Sequence, residues 1–246
     1  APFSVTFSAG IADAAPRGRA PEIAWDDWYL LDEEDMGQAP DHAIIIQAFF
    51  DVLSVLVLQR RWSQAFVGTD AFFAWLPEHP LVRVSPDVYL LAETPAKPFP
   101  RQWELWRGHA PPRFALEVVS RDRIKEYTVN PEKYAALGAT ELVIYDPDLV
   151  GHTVRGSKVL KLQRYTRGAD GAFELAEESD DIVFSPTLDA FLLVDRSVAP
   201  PLLRVSNTPD LSARFPSNAE LAEQERAAKD QERAAKEQEH AARGER

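Results

Sequence analysis

The chain contains no cysteine among its 246 residues. This absence excludes disulfide bonds, thiolate zinc sites and cysteine nucleophiles together, and it fits a cytoplasmic protein, which is what we expect. Long apolar runs are also missing, because Gln47, Asp51 and Ser54 interrupt the longest one, Ala43 to Leu58. A membrane span needs about 20 consecutive apolar residues. The run therefore predicts a core helix, and we expect no membrane partner.

Positive charge is scarce. The chain has 27 Lys and Arg against 39 Asp and Glu, which gives a net charge of −12. Such a protein repels nucleic acid at long range, because non-specific binding depends on neutralising phosphates with basic side chains. The charge balance reverses locally, because the stretch from Arg101 to Lys133 contains seven basic residues and five acidic ones. The local positive charge of that stretch is compatible with a phosphate-containing partner.

Three segments differ in composition. Residues 1–24 lack the basic start and long apolar centre of a secretory signal, and we expect a flexible lead-in. Residues 25–215 carry the apolar patterning of a globular domain, and residues 216–246 form a charged tail. The tail repeats QERAAKD, QERAAKE and QEHAARG with favourable Glu-to-Lys or Glu-to-Arg spacing of four residues. Its apolar residues are adjacent alanines, which predicts a solvated single helix, with a weak coiled coil as the alternative.

Apolar periodicity predicts a helix over Asp41–Arg60, followed by β-like runs in AFVGTDAFFAWL and VRVSPDVYLLAE. RFALEVVS and ELVIYD predict two further strands, joined by a helix that starts after Asn130 and ends at Gly138. A strand, a helix and a strand with a short crossover imply an α/β (α+β) fold with a mixed sheet. We expect the long helix on one face of this sheet and the second helix on the other.

The remaining segments show weaker patterns. The turn signals in VRGSKVLKLQRYTRGADGAFELAEE predict a hairpin. The Pro- and Trp-rich stretch from Thr94 to Pro112 predicts an irregular connector. Ser185 to Phe215 predicts an irregular closing piece with a short helix.

Two carboxylates stand out at predicted strands. Asp87 sits at a strand start and Glu117 interrupts an apolar strand, while Lys133 follows on a helix. Burying an unpaired carboxylate costs several kcal/mol, so the pattern suggests a site for a hard cation such as Mg²⁺. An acid, a second acid and a lysine are the minimal set for phosphodiester cleavage. The alternative makes Asp87 a turn residue and Glu117 a solvent-facing edge residue.

The runs PDVYLL, LEVVS and KYAALGATELVIYDPD together resemble the Uma-type family of restriction endonucleases, whose fold is the PD-(D/E)xK nuclease core. The resemblance spans roughly residues 25–191. It implies a restriction-endonuclease-like domain, Asp87 and Glu117 as ligands of Mg²⁺ or Mn²⁺, and the Val118 carbonyl as a further oxygen ligand. It also implies DNA as the partner.

The lysine of the family pattern is displaced. In the nuclease motif it lies two residues after the Glu, where this chain has Val119; in the family it usually lies four residues before the Tyr, where this chain has Asn130. We therefore expect Lys133 to be the catalytic cation, with Lys125 as the alternative.

The family's N-terminal acid is assigned to Glu34, with Glu33 and Asp32 as alternatives. We interpret His42 as a histidine of the helix-start turn without a special role, with a metal or phosphate contact as the alternative.

Two functions remain open at this point. One is a Mg²⁺-dependent DNA endonuclease, for which a symmetric homodimer would suit double-strand cleavage. The other is a catalytically weak nuclease-like module that acts through a protein partner, with the charged helical tail as the contact surface.

Overall fold

The computed structural model describes residues 40–119, 129–149 and 160–244. Three α-helices lie in these ranges: α1 (Pro40–Gln59), α2 (Asn130–Leu137) and α3 (Asn218–Gly244). The strands in the same ranges are β1 (Phe66–Gly68), β2 (Phe72–Ala74), β3 (Arg83–Val84), β4 (Val88–Leu91), β5 (Gln102–Glu104), β6 (Phe114–Val118), β7 (Glu141–Tyr145), β8 (Leu162–Arg167), β9 (Phe173–Ser179), β10 (Ile182–Ser185), β11 (Ala190–Asp195) and β12 (Leu202–Ser206).

The central sheet has six strands in the order β1-β4-β6-β7-β8-β9. Strands β6 and β7 pair in parallel, and the other neighbours pair antiparallel. The connection between the parallel strands contains α2, which ends where Gly138 adopts φ 93°, a left-handed conformation that glycine reaches without strain. The predicted α/β fold with a mixed sheet is confirmed.

The two helices pack on opposite faces of this sheet. Phe49 and Leu53 of α1 share a buried cluster with Leu116 of β6. Tyr134 of α2 belongs to a second buried cluster with Ala115, the neighbouring residue of β6. Successive strand residues point to opposite faces, so the nearly continuous apolar pattern of β6 reflects a strand that is covered on both sides.

The expectation of an irregular closing piece from Ser185 to Phe215 is wrong. Strands β10, β11 and β12 form a three-stranded antiparallel sheet, and the predicted short helix is one 3-10 turn at Leu211–Ala213. Leu192 and Val205 of this sheet are fully buried in the same cluster as α1. The apolar face of α1 stabilises these strands, and that tertiary contact is not visible in their local sequence.

The connector from Thr94 to Pro112 also contains regular structure, contrary to expectation. Strand β5 pairs in parallel with β2, and a 3-10 turn at Leu105–Arg107 follows it. The strand buries Trp103, which stacks on Phe73 with ring centroids 5.9 Å apart. The aromatic packing stabilises β5, which is too short to be recognised from a sequence pattern.

Helix α1 is long and apolar enough to cross a membrane by length and composition alone. In the structure it is a core helix, as predicted, since its buried residues pack against the central sheet and the β10–β12 sheet. Helix α3 follows a reciprocal cap in which Ser217 and Glu220 each accept a backbone hydrogen bond from the other. Its side chains from Glu223 to Ala234 are exposed, as expected of a solvated helix, and the coiled coil stays a prediction.

Candidate active site

The pairing of β4 with β6 sets the positions of the two predicted acids. Val88 pairs with Leu116 and Tyr89 with Ala115 in an antiparallel register. If this register is extended by one residue beyond the paired strands, Asp87 lies opposite Glu117. Residues that lie opposite each other on antiparallel strands point to the same side. Glu117 occupies the face of the sheet that α2 covers, where Tyr134 contacts it, and Asp87 lies at the same end of the neighbouring strand.

Both carboxylates are buried: Glu117 is 5% exposed and Asp87 is 9% exposed. Glu117 lies on β6, which is enclosed between β4 and β7. The alternative of a solvent-facing edge residue is therefore wrong for Glu117. Charged side chains at such positions need compensating hydrogen bonds or ions, and each acid has a specific set of neighbours.

Asp87 is held by the main chain of β6. The amide of Val118 donates a hydrogen bond to Asp87 Oδ2 at 2.7 Å, and this bond is buried. The carbonyl oxygen of the same residue lies 2.6 Å from His42 Nε2, and His42 Nε2 is 3.7 Å from Asp87 Oδ2. Because a carbonyl can only accept, the hydrogen of the His42 ring is on Nε2 in this arrangement.

His42 makes a specific contact at the candidate site, which favours the alternative to a histidine without a special role. Its ring reaches from the first turn of α1 to the end of β6, and its side chain is 11% exposed. The Nδ1 atom is buried and has no hydrogen-bond partner within residues 40–119, 129–149 and 160–244. His42 fixes the carbonyl that the sequence assigned to a metal, while leaving that oxygen a second lone pair.

Glu117 receives two hydrogen bonds from α2. The Tyr134 hydroxyl donates to Glu117 Oε1 at 2.5 Å, and the Asn130 side-chain amide donates to the same oxygen at 3.3 Å. Asn130 and Tyr134 are four residues apart, so their side chains lie on one face of the helix. Neither residue was predicted as a site residue from the sequence. The spacing of four residues and the position of Asn130 in the family pattern are the two signals that indicate them.

Of the other predicted site residues, only Lys133 lies within the described ranges. Lys133 lies on α2 and is 8% exposed, and lysine is buried almost only when its charge is paired. Val119, at the lysine position of the nuclease motif, is a buried apolar residue. Lys125 and Glu34 lie outside the described residues.

The donor atoms suit a hard cation. Asp87, Glu117 and the Val118 carbonyl offer only oxygen, which Mg²⁺ and Mn²⁺ prefer. Among the residues that the structure describes, no three His, Asp or Glu side chains form a metal site by themselves. Within the described residues, a cation here would therefore take its third protein ligand from the Val118 carbonyl, and the rest from water or substrate.

The chain matches a protein family and is similar to a solved structure. No curated protein matches the chain. Among solved structures, the chain is similar to one described as "a putative nuclease belonging to DUF820 from Anabaena variabilis ATCC 29413", with 17% identity and a TM-score of 0.43, over 62% of this chain and 75% of that chain. The Uma2 family, described as "Putative restriction endonuclease", matches residues 30–188. This match covers more than half of the chain and both buried acids, and the protein therefore belongs to the Uma2 family.

Proposed function

We propose that the protein is a Mg²⁺-dependent endonuclease that hydrolyses DNA phosphodiester bonds, with Mn²⁺ able to replace Mg²⁺. One observation carries the proposal: two buried carboxylates, Asp87 and Glu117, lie at the same end of two paired strands, where the amide of Val118, the residue after Glu117, donates to Asp87. Carboxylate oxygens are the ligands that Mg²⁺ prefers in proteins. Membership of a family described as restriction endonucleases supports the same activity.

The proposed ligands are Asp87, Glu117 and the Val118 carbonyl. When bound, the metal would lower the pKa of a coordinated water and stabilise the negative charge that develops on the phosphate. The protein's own contribution is rigidity. The Val118 amide orients Asp87, His42 orients the Val118 carbonyl and Tyr134 orients Glu117. Fixed outer contacts of this kind hold ligand oxygens in place and tune their affinity for a metal.

The proposed catalytic cation is Lys133, with Lys125 as the alternative. A lysine ammonium near the scissile phosphate would orient the attacking water or offset developing negative charge. The proposal for Lys133 is supported by its position on the helix that also carries Asn130 and Tyr134, both of which contact Glu117. Glu34 is proposed to add a carboxylate from the N-terminal segment.

A second candidate function has a specific observation in its favour. At the family's usual lysine position, Asn130 offers Glu117 a neutral amide in place of an ammonium. A centre without a well-placed cation would cut slowly. In that case the protein would be a weak or inactive nuclease-like module that acts through a protein partner, with the exposed side chains of α3 as the contact surface.

Cleavage of two substrates separates the candidates. The purified protein would be incubated with supercoiled plasmid and with single-stranded DNA, with Mg²⁺ or Mn²⁺, beside Asp87→Ala and Glu117→Ala. The nuclease proposal predicts metal-dependent cutting by the wild type and background cutting by both variants. Equal cutting by all three proteins would assign the activity to a contaminant and favour the module.

A further inference from the structure

An aromatic cleft of about 440 Å³ is lined in part by β1 and by Tyr89 of β4. Here "aromatic cleft" means the concave surface lined mainly by Phe66, Gly68, Thr69, Tyr89, Phe99 and Trp103. Its volume is within the range of pockets that bind small organic groups. The proposed cleavage reaction does not use it.

The rings of the cleft form a continuous series from solvent into the core. Phe99 is 44% exposed and packs edge-on against Phe66 with ring centroids 5.1 Å apart. Phe66 in turn lies 6.3 Å from Tyr89, and Tyr89 packs edge-on against Phe73 at 4.9 Å. The buried rings support the outer pair, so an accessible aromatic surface is held rigidly by the core.

Gly68 allows the Tyr89 ring to form the floor of the cleft. A Cβ atom at this position would lie 2.3 Å from Tyr89 Cζ, which is far inside van der Waals contact. The Tyr89 ring therefore lies directly on the backbone of β1. Any other residue at this position would displace that ring and change the shape of the cleft.

The cleft begins next to Asp87. Gly68 pairs with Tyr89, and the Asp70 amide donates to the Pro86 carbonyl at 3.3 Å. Tyr89 and Asp87 are two residues apart along one chain, which corresponds to roughly 7 Å in an extended strand and to the same face. A single strand bound along this path would have a base in the cleft and a phosphate near Asp87.

Basic side chains flank the exposed end of the cleft. Lys97 Nζ lies 5.6 Å from the centroid of the Phe99 ring, and Arg101 follows Phe99 by two residues and is exposed. On a chain with a net charge of −12, this pair of cations offers a local contact for phosphate. Aromatic rings that accept a base, next to cations that accept its backbone, are the elements of single-strand binding.

We propose that the aromatic cleft stacks an unpaired base of the substrate, and that the protein acts on single-stranded or locally melted DNA. The outer rings, Phe99 and Phe66, provide the stacking surface, and Lys97 and Arg101 contact the adjacent phosphates. The inference rests on the proposed nuclease function for its choice of ligand. A base inside an intact duplex is already stacked and cannot enter the cleft, so duplex DNA is the poorer ligand.

Binding without cleavage tests the inference. Anisotropy of a fluorescein-labelled oligothymidylate of about 12 nucleotides, within the range of single-strand site sizes, is measured in EDTA with the full chain. Phe99→Leu keeps an apolar side chain but removes the ring, Phe99→Trp restores a ring, and Leu81→Ala is a control at an exposed apolar residue that does not line the cleft. Thermal unfolding confirms that each variant is folded.

We expect Phe99→Leu to weaken binding at least about fivefold, the lower limit for loss of one stacked base, and Phe99→Trp and Leu81→Ala to bind like the wild type. A duplex of equal length should bind more weakly. The inference is overturned if the wild type does not bind the oligonucleotide, if the duplex binds equally well, or if Phe99→Leu binds as tightly as the wild type. Metal-dependent plasmid cleavage is scored separately, so failure of the cleft and failure of the nuclease proposal are distinguishable.

Discussion

Asp87 and Val118 are joined by a buried hydrogen bond of 2.7 Å from the Val118 amide to Asp87 Oδ2. This bond links the residue that precedes β4 to the end of β6, the strand that carries Glu117. One carboxylate of the proposed site is therefore positioned by the main chain beside the other. The pairing of the two strands and the geometry of the site depend on each other.

The bond predicts different stability effects for two substitutions of Asp87. Asp87→Asn keeps an acceptor for the Val118 amide, whereas Asp87→Ala leaves that buried amide unsatisfied, which costs about 1–3 kcal/mol. We expect Asp87→Ala to be less stable than Asp87→Asn by this amount in urea unfolding with EDTA present. Equal stability of the two variants would show that the hydrogen bond does not hold the strands.

His42 is predicted to act as a positioning residue through the Val118 carbonyl. His42→Ala removes the donor to this carbonyl, and loss of such an outer contact typically costs 10–100-fold in metal affinity or activity. We expect a decrease of roughly this size in Mn²⁺ affinity by calorimetry. His42→Gln retains an N–H donor and should recover part of the loss. Unchanged Mn²⁺ affinity in His42→Ala would remove His42 from the site.

Asn130 offers a gain-of-function test of the displaced lysine. Its side chain already reaches Glu117 Oε1, so Asn130→Lys would bring an ammonium to the position that the family usually fills. A well-placed charge stabilises the transition state of such reactions by roughly 10²–10³-fold, and we expect plasmid cleavage at least about tenfold faster than in the wild type.

The matched control for that test is Asn130→Ala, which removes the amide without adding a charge. It separates the effect of the new cation from the effect of losing the hydrogen bond to Glu117. If Asn130→Lys cleaves no faster than Asn130→Ala, position 130 does not host the catalytic cation, which leaves this role to Lys133 or Lys125 in an active enzyme.

Glu141 gives the stability of the fold a predictable pH dependence. It is buried on β7 and accepts hydrogen bonds from Ser185 Oγ and from the Thr187 amide. Burial raises the pKa of Glu141, and these hydrogen bonds only partly offset the effect. Since the folded-state pKa is above the unfolded value, the stability from this group is present below the unfolded pKa and is lost as pH rises through the folded pKa.

Glu141→Gln should therefore gain stability relative to the wild type as pH is raised above the ordinary range for glutamate. Urea unfolding at several pH values from about 4 upward measures this difference. Asp195→Asn is the control of opposite sign. Burial pushes the pKa of Asp195 up, but hydrogen bonds from Ser197 and Arg204 outweigh it and lower the pKa, so that stability is lost as pH falls. A difference in unfolding free energy between Glu141→Gln and the wild type that does not change with pH would contradict the account.

The main elements could be predicted from the sequence because their signals are local. Helix α1 has apolar residues at helical spacing, β6 and β7 are nearly continuous apolar runs, and α2 has Pro131 in its first turn and Gly138 directly after its end. The β10–β12 sheet was missed because it depends on the apolar face of α1, which is more than a hundred residues distant in sequence. Family resemblance identified Asp87 and Glu117, which local pattern alone left ambiguous.

The surroundings of the two acids could not be predicted in the same way. His42 and Val118 are 76 residues apart, and no periodicity relates a helix start to the end of a distant strand. Likewise, the hydrogen bond from Asn130 to Glu117 depends on how α2 packs across β6. The sequence predicts Lys133 because its helix could direct it toward the strands, and the structure adds Asn130 and Tyr134 of the same helix as contacts of Glu117.

The most direct test of the central claim is the rate of supercoiled plasmid nicking as Mg²⁺ is raised from zero, measured for the wild type and for Glu117→Gln. Glutamine is similar in size to glutamate, so the variant retains the shape of the side chain that Tyr134 and Asn130 contact while removing the ligand charge. The account predicts that wild-type nicking rises with Mg²⁺, saturates and returns to background with EDTA, and that Glu117→Gln stays at background throughout. Equal, Mg²⁺-dependent nicking by both proteins would contradict a metal centre built on Glu117.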